Sequence, residues 1–143
     1  VWSTRVSPLA FAGPKRFHPV PAPLAALPPL DVVLVSHDHY DHLDRQTIRA
    51  LARAGVPFVT SLGVGAIIES WGVPPETVIE LDWWERTEVK GVTITATPAQ
   101  HFSGRGIKDR NSTLWSAMHT GCWDICPRSN WRHARPKRWR CWR

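Results

Sequence analysis

Val32-Val33-Leu34-Val35-Ser36-His37-Asp38-His39-Tyr40-Asp41-His42-Leu43-Asp44 is the stretch on which the reading of this chain turns. Its opening run of β-branched residues and Leu, from Asp31 to Ser36, has the pattern of a strand buried on both faces, in a sheet covered by helices. Three histidines and three aspartates then fall within the nine residues 36–44. Ionisable groups at that density are costly to gather unless a cation holds them together. Neutral imidazole nitrogens and carboxylate oxygens are the ligands that Zn²⁺ and its borderline neighbours take. The stretch therefore predicts a metal site where a strand emerges, which is where functional loops of layered α/β folds gather.

The spacing inside the motif divides the ligands. His37 and His39 are separated by one residue, so in extended chain their side chains share a face and can bind one ion together. Asp41 and His42 are adjacent, lie where the chain turns, and can serve a second ion beside the first. A tetrahedral catalytic zinc takes three protein ligands and keeps an open position for water. His101, just past another expected strand, is the candidate for the third ligand. His18 and His119 read as surface or satisfied core histidines. Paired ions lower the pKa of water from about 15.7 to about 7 and clamp a carbonyl or phosphoryl oxygen. The expected chemistry is attack by a metal-bound hydroxide, that is, hydrolysis of an ester, amide, lactone or phosphodiester. Spacing does not choose among these.

The flanking sequence predicts an α/β layered architecture. Residues 1–30 carry Pro8, Pro14, Pro19, Pro21, Pro23, Pro28 and Pro29, which deny them a continuous helix or an interior strand. Asp44 is placed to cap a helix over 45–54 that ends at Gly55. Residues 56–61 read as a strand, 63–71 as a short helix closed by Gly72, and 77–81 as another strand. Residues 88–97 alternate apolar and polar, with Gly91 disturbing the register, and read as a half-buried strand from Val92 onward.

Composition shifts near the C-terminus. The net charge of +6 suggests a nucleic-acid partner until it is located. Lys and Arg balance Asp and Glu over residues 1–119, and the whole excess lies in 120–143. Cys122, Cys126 and Cys141 lie there as well, with four of the nine tryptophans. This divides the chain into a domain over 1–117 and an atypical Trp/Arg/Cys-rich tail over 118–143, expected to be out of frame or disordered. One alternative makes the chain a non-catalytic module that binds nucleic acid or an anionic membrane through this tail. Another makes Cys122, Cys126, His133 and Cys141 a structural zinc site. With no secretory signal and no apolar run long enough to span a membrane, a cytoplasmic or peripheral membrane location is expected.

His37-Asp38-His39-Tyr40-Asp41-His42 resembles the H-x-H-x-D-H signature of the metallo-β-lactamase superfamily, whose fold is a four-layered αββα sandwich. Ser36 to Asp44, Glu80-Leu81-Asp82-Trp83-Trp84-Glu85 and Pro98-Ala99-Gln100-His101-Phe102-Ser103-Gly104-Arg105 are similar to segments of N-acyl-phosphatidylethanolamine phospholipase D and its bacterial relatives. Gly13-Pro14-Lys15-Arg16-Phe17, Leu27-Pro28-Pro29-Leu30-Asp31 and Asp109-Arg110-Asn111-Ser112-Thr113-Leu114-Trp115 match in the same order.

The resemblance implies a metal-dependent hydrolase, phospholipase D-like or phosphodiesterase-like, acting on a small-molecule or lipid ester or phosphodiester. No specific nucleic acid is expected as a partner, and peripheral membrane contact is. His37, His39 and His101 would hold the first zinc, and Asp41 and His42 the second, with manganese or iron as alternative metals. Trp83 and Trp84 are given a packing role. The aspartate of the family's later G-D-T-G-like turn and its final histidine have no counterpart here. The resemblance thus implies roughly the first half of the fold, a truncated chain with a defective second site, and an apolar sheet face left without its covering layer.

Overall fold

A computed structural model describes residues 2–9, 11–106 and 108–121. The tail, with its basic, aromatic and cysteine readings, lies outside the described residues except at its first positions. Up to Pro29 the chain is irregular, apart from a 3-10 turn at Leu24–Ala26 and an isolated antiparallel bridge between Arg5 and Lys15. A β-α-β-α-β succession follows: β1 (Val33–Val35), α1 (Arg45–Arg53), β2 (Phe58–Ser61), α2 (Val64–Ser70) and β3 (Val78–Leu81). These strands form a parallel sheet in the order β1-β2-β3.

Three antiparallel strands then make a second sheet: β4 (Arg86–Val89), β5 (Val92–Pro98) and β6 (Ser116–Thr120), in that order. The strand expected from Val92 onward is β5, and the residues before Lys90 form a separate strand, β4. Val89 pairs with Val92, and Lys90 and Gly91 between them have φ of 48° and 80°. Two consecutive positive φ values make the type I′ turn whose twist suits a two-residue hairpin. The glycine that seemed to break a register is the corner that reverses the chain. Strand β6 crosses residue 117 and runs on to Thr120.

Side chains alternate between two cores. Val35, Phe58, Ile48, Leu51, Val64 and Ile68 cluster between the parallel sheet and the two helices. Val59 and Leu81, from the opposite face of that sheet, meet Ile94 and Ala96 of the second sheet. The layers are therefore helix, sheet, sheet. The strand buried along its whole length is β2, not β1. The fully enclosed Phe58 alone contributes roughly 1.5–3 kcal/mol of burial.

The outward face of the second sheet differs from expectation. It carries Arg86, Glu88, Thr93, Thr95 and His119, because these residues alternate with the inward Ile94, Ala96 and Met118. Among the described residues the open face is polar, and water can solvate it.

Candidate metal centre

Packing fixes the end of β1 before the motif begins. The Ser36 carbonyl accepts from Ser61 Oγ (2.7 Å) and from the Ser116 backbone N–H (2.9 Å). Both sheets thus grip the residue that precedes His37. The chain next folds into a turn in which the N–H groups of His42 and Leu43 both donate to the His39 carbonyl, at 3.0 and 2.7 Å. Fully buried Leu43 anchors it. Asp44 then caps α1: its carboxylate accepts from the Thr47 backbone N–H (3.1 Å) and from the Thr47 hydroxyl. The metal motif is held between a strand end and a helix start.

His101 arrives from the second sheet. It lies three residues past β5, where the preceding Ala99 carbonyl accepts from Trp115 Nε1 (2.9 Å). Trp115 in turn meets Trp83 edge-on, and Trp83 Nε1 donates to the Trp115 carbonyl (2.7 Å). These aromatics pack, the role given to Trp83 from the sequence, and they set the level of the loop that carries His101.

His101 Nε2 stands 2.8 Å from His37 Nε2 and 3.2 Å from His39 Nδ1. One nitrogen from each ring fits within a 4.8 Å cluster. Two nitrogens on a tetrahedral zinc at about 2.0–2.1 Å stand about 3.3 Å apart, so the three residues fit one ion. His37 is buried, His39 intermediate and His101 exposed, an order that leaves one side open. His42 packs its ring on His37 with centroids 4.1 Å apart, and its Nε2 lies 3.3 Å from Asp41 Oδ2. The structure brings Asp41 and His42 beside the three-histidine cluster without including them in it. A shallow pocket opens there, lined by Ser36, His37, His42, Gln100, His101 and Trp115. A larger cleft between residues 3–9 and α1 holds none of the five candidate ligands.

Burial first, then the neighbouring imidazoles of His42, His101 and His39, pulls the pKa of His37 from 6.5 down to about 4, with Asp41 opposing. His37 is consequently neutral at physiological pH, the form that ligates metal. His18 and His119 behave as anticipated. His18 meets Phe17, and His119 Nε2 lies 2.9 Å from Thr97 Oγ1. Sequence reading missed Ser36, whose Oγ lies 2.8 Å from His37 Nδ1. It also missed buried Asp38, whose carboxylate turns away from the metal cluster and accepts from the Gly104 backbone N–H (2.8 Å). Both lie inside the quoted motif, but hydroxyls and interleaved carboxylates carry no spacing signal of their own.

Comparison with known proteins agrees with this geometry. A family model described as a beta-lactamase superfamily domain matches residues 1–121. An uncharacterized protein of Mycobacterium tuberculosis is 52% identical over 118 residues, which is 82% of this chain and 32% of that protein. N-acyl-phosphatidylethanolamine-hydrolyzing phospholipase D 1 of Caenorhabditis elegans is 41% identical over 125 residues, covering 81% of this chain and 35% of the relative. A metal-dependent hydrolase of Saccharolobus solfataricus is 28% identical over 102 residues, covering 66% and 45%. The chain spans about a third of the length of the first two. From its histidine cluster, its layered sheets and this match, the chain belongs to the metallo-β-lactamase superfamily, of whose fold it contains part.

Proposed function

We propose that this chain carries the first-ion site of a zinc-dependent hydrolase that cleaves a phosphodiester in a lipid or small molecule. The observation behind this reading is the convergence of His37, His39 and His101 from two loops more than sixty residues apart in sequence onto one 4.8 Å cluster. An all-imidazole set of three with an open side matches catalytic zinc better than the oxygen-rich sites of magnesium or calcium. Asp41 and His42 are the residues for a second ion. When bound, the metal supplies Lewis-acid activation of water and of the phosphoryl oxygen. The protein's own part is to keep His37 neutral, to orient its ring through Ser36, and to leave the His101 side open to substrate.

The phospholipase D name of the Caenorhabditis elegans relative supports a lipid phosphodiester as substrate. Such a substrate lies in a membrane surface, and Leu9, Phe11 and Phe17 are exposed apolar side chains suited to peripheral contact with it. Among the described residues no helix is long and apolar enough to cross a membrane. We place the site in a domain over 1–117 extended by the rest of β6 to Thr120, with the residues that follow as a separate tail.

Titration of the metal-free chain with Zn²⁺, followed by assay on N-acyl-phosphatidylethanolamine vesicles and on a soluble phosphodiester, tests the reading. Zinc uptake that disappears in His101→Ala is expected. Uptake unchanged in that variant would sink the assignment of the site, and hydrolysis of neither substrate by the zinc-loaded chain would sink the assignment of the reaction.

A further inference from the structure

The metal cluster is assembled from two loops, which the ligands themselves join through the contacts of His101 Nε2 with His37 and His39. We propose that Arg105 is a positioning residue that clamps the His101 loop to the His37–His42 loop and so preorganises the metal cluster. This inference rests on the metal-site reading above.

One nitrogen does the bridging. Arg105 Nη1 donates to the Asp38 carbonyl (2.5 Å) and to the Leu43 carbonyl (3.0 Å). Those two carbonyls bracket residues 39–42, the segment that contains His39, Asp41 and His42. An Nη group carries two hydrogens, one for each acceptor, so a single side chain ties down both ends of the turn. Its guanidinium carbon lies 4.0 Å from the Tyr40 ring centroid and 5.2 Å from that of Trp71. Tyr40 belongs to the same turn, so the stacking holds the turn's face as the hydrogen bonds hold its ends.

Arg105 is itself fixed. Its backbone N–H donates to Asp109 Oδ2 (3.0 Å), and the Gly106 N–H donates to Asp109 Oδ1 (2.6 Å). The Asp38 side chain returns the link by accepting from the Gly104 N–H. Gly104 has φ of 143°, and a Cβ there would stand 3.2 Å from the Arg110 Cα. The loop after His101 therefore folds closely on its own return segment at Asp109 and Arg110. Arg105 lies four positions after His101, so the clamp and the third ligand move together.

A lysine could not reproduce this arrangement. Its ammonium can donate twice, but it lacks the planar face that stacks on Tyr40. Removing the guanidinium leaves the Asp38 and Leu43 carbonyls without this donor and loosens the link between the two loops. Partners of this kind that orient metal ligands typically change metal affinity by about 10–100-fold when lost.

Co²⁺ affinity and its visible absorption spectrum in the full chain test the clamp, with circular dichroism of the metal-free protein as the check on folding. Arg105→Gln is expected to weaken Co²⁺ binding at least about tenfold and to alter the spectrum, and Arg105→Lys to recover part of the affinity. If Arg105→Gln fails to fold, folded Arg105→Lys decides. Reduced affinity with a changed spectrum supports the clamp, and wild-type affinity with a wild-type spectrum overturns it. A wild-type chain that takes up no Co²⁺ overturns the metal-site reading and the clamp with it. A wild-type chain that binds the ion beside a variant that binds it equally well overturns the clamp alone.

Discussion

Ser36 Oγ lies 2.8 Å from His37 Nδ1, on the side of the ring away from the Nε2 that faces His101. A proton on Nδ1 can donate to the hydroxyl, which leaves Nε2 with a free lone pair for metal. Ser36 is itself immobilised, since its carbonyl accepts from Ser61 and Ser116. Ser36→Ala is expected to weaken zinc binding by about 10-fold, with Ser36→Thr close to wild type. Competitive titration with a chromophoric chelator reads this directly. Equal affinities for all three proteins would remove Ser36 from the site.

The depressed pKa of His37 predicts a pH dependence for the metal-free chain. Above 6.5 the ring is neutral whether the chain is folded or unfolded, and it contributes nothing. As the pH falls from 6.5 toward 4, the unfolded chain takes up this proton and the folded chain does not. Stability is therefore lost over that window, by an amount on the order of 2 kcal/mol. Urea denaturation in chelator at about pH 7.5 and about pH 5 should show the fall, and His37→Asn should flatten it. An equal slope in the variant would assign the effect to other groups.

Asp44 joins two parts of the molecule. It caps α1 through Thr47, and it accepts from the Ser3 hydroxyl at 2.6 Å, which ties the irregular N-terminal segment to the helix. Burial alone would raise its pKa, but hydrogen bonds from Ser3, Thr47 and Gln46 outweigh that and lower it. The stabilisation is present above the ordinary value of 3.8 and is lost as the pH falls through the lower folded value. Asp44→Ala is expected to cost about 1–2 kcal/mol, and Asp44→Asn less, because the amide oxygen still caps. Denaturation midpoints at neutral pH decide it. An unchanged midpoint for the alanine variant would contradict the double role.

Local chemistry made much of this legible in advance. Asp44 before Arg45 and Gly55 after Ala54 mark the ends of α1 almost to the residue, because capping is decided within one turn of chain. The Lys90-Gly91 corner is equally local, and the residues mark a strand from Val92 onward and a disturbed register at Gly91, but not the turn itself. A lysine at positive φ is unusual, and only the pairing of Val89 with Val92 reveals the hairpin. Strand β6 is a stronger case. Ser116–Thr120 has no strong apolar alternation, and it becomes a strand because β5 offers it an edge.

From sequence alone came the expectation of metal chemistry, the proposed division of ligands within His37 to His42, and the α/β class. These follow from residue types at short spacing, which the backbone turns into shared faces and turns. The tertiary structure decided the rest: that His101 meets His37 at 2.8 Å, that Asp38 faces Gly104 rather than the metal cluster, and that Arg105 spans both loops. Each of those contacts joins residues more than sixty positions apart. Their relation is set by how two sheets stack around Val59, Leu81, Ile94 and Ala96, and packing between distant segments leaves no periodic trace in the order of residues.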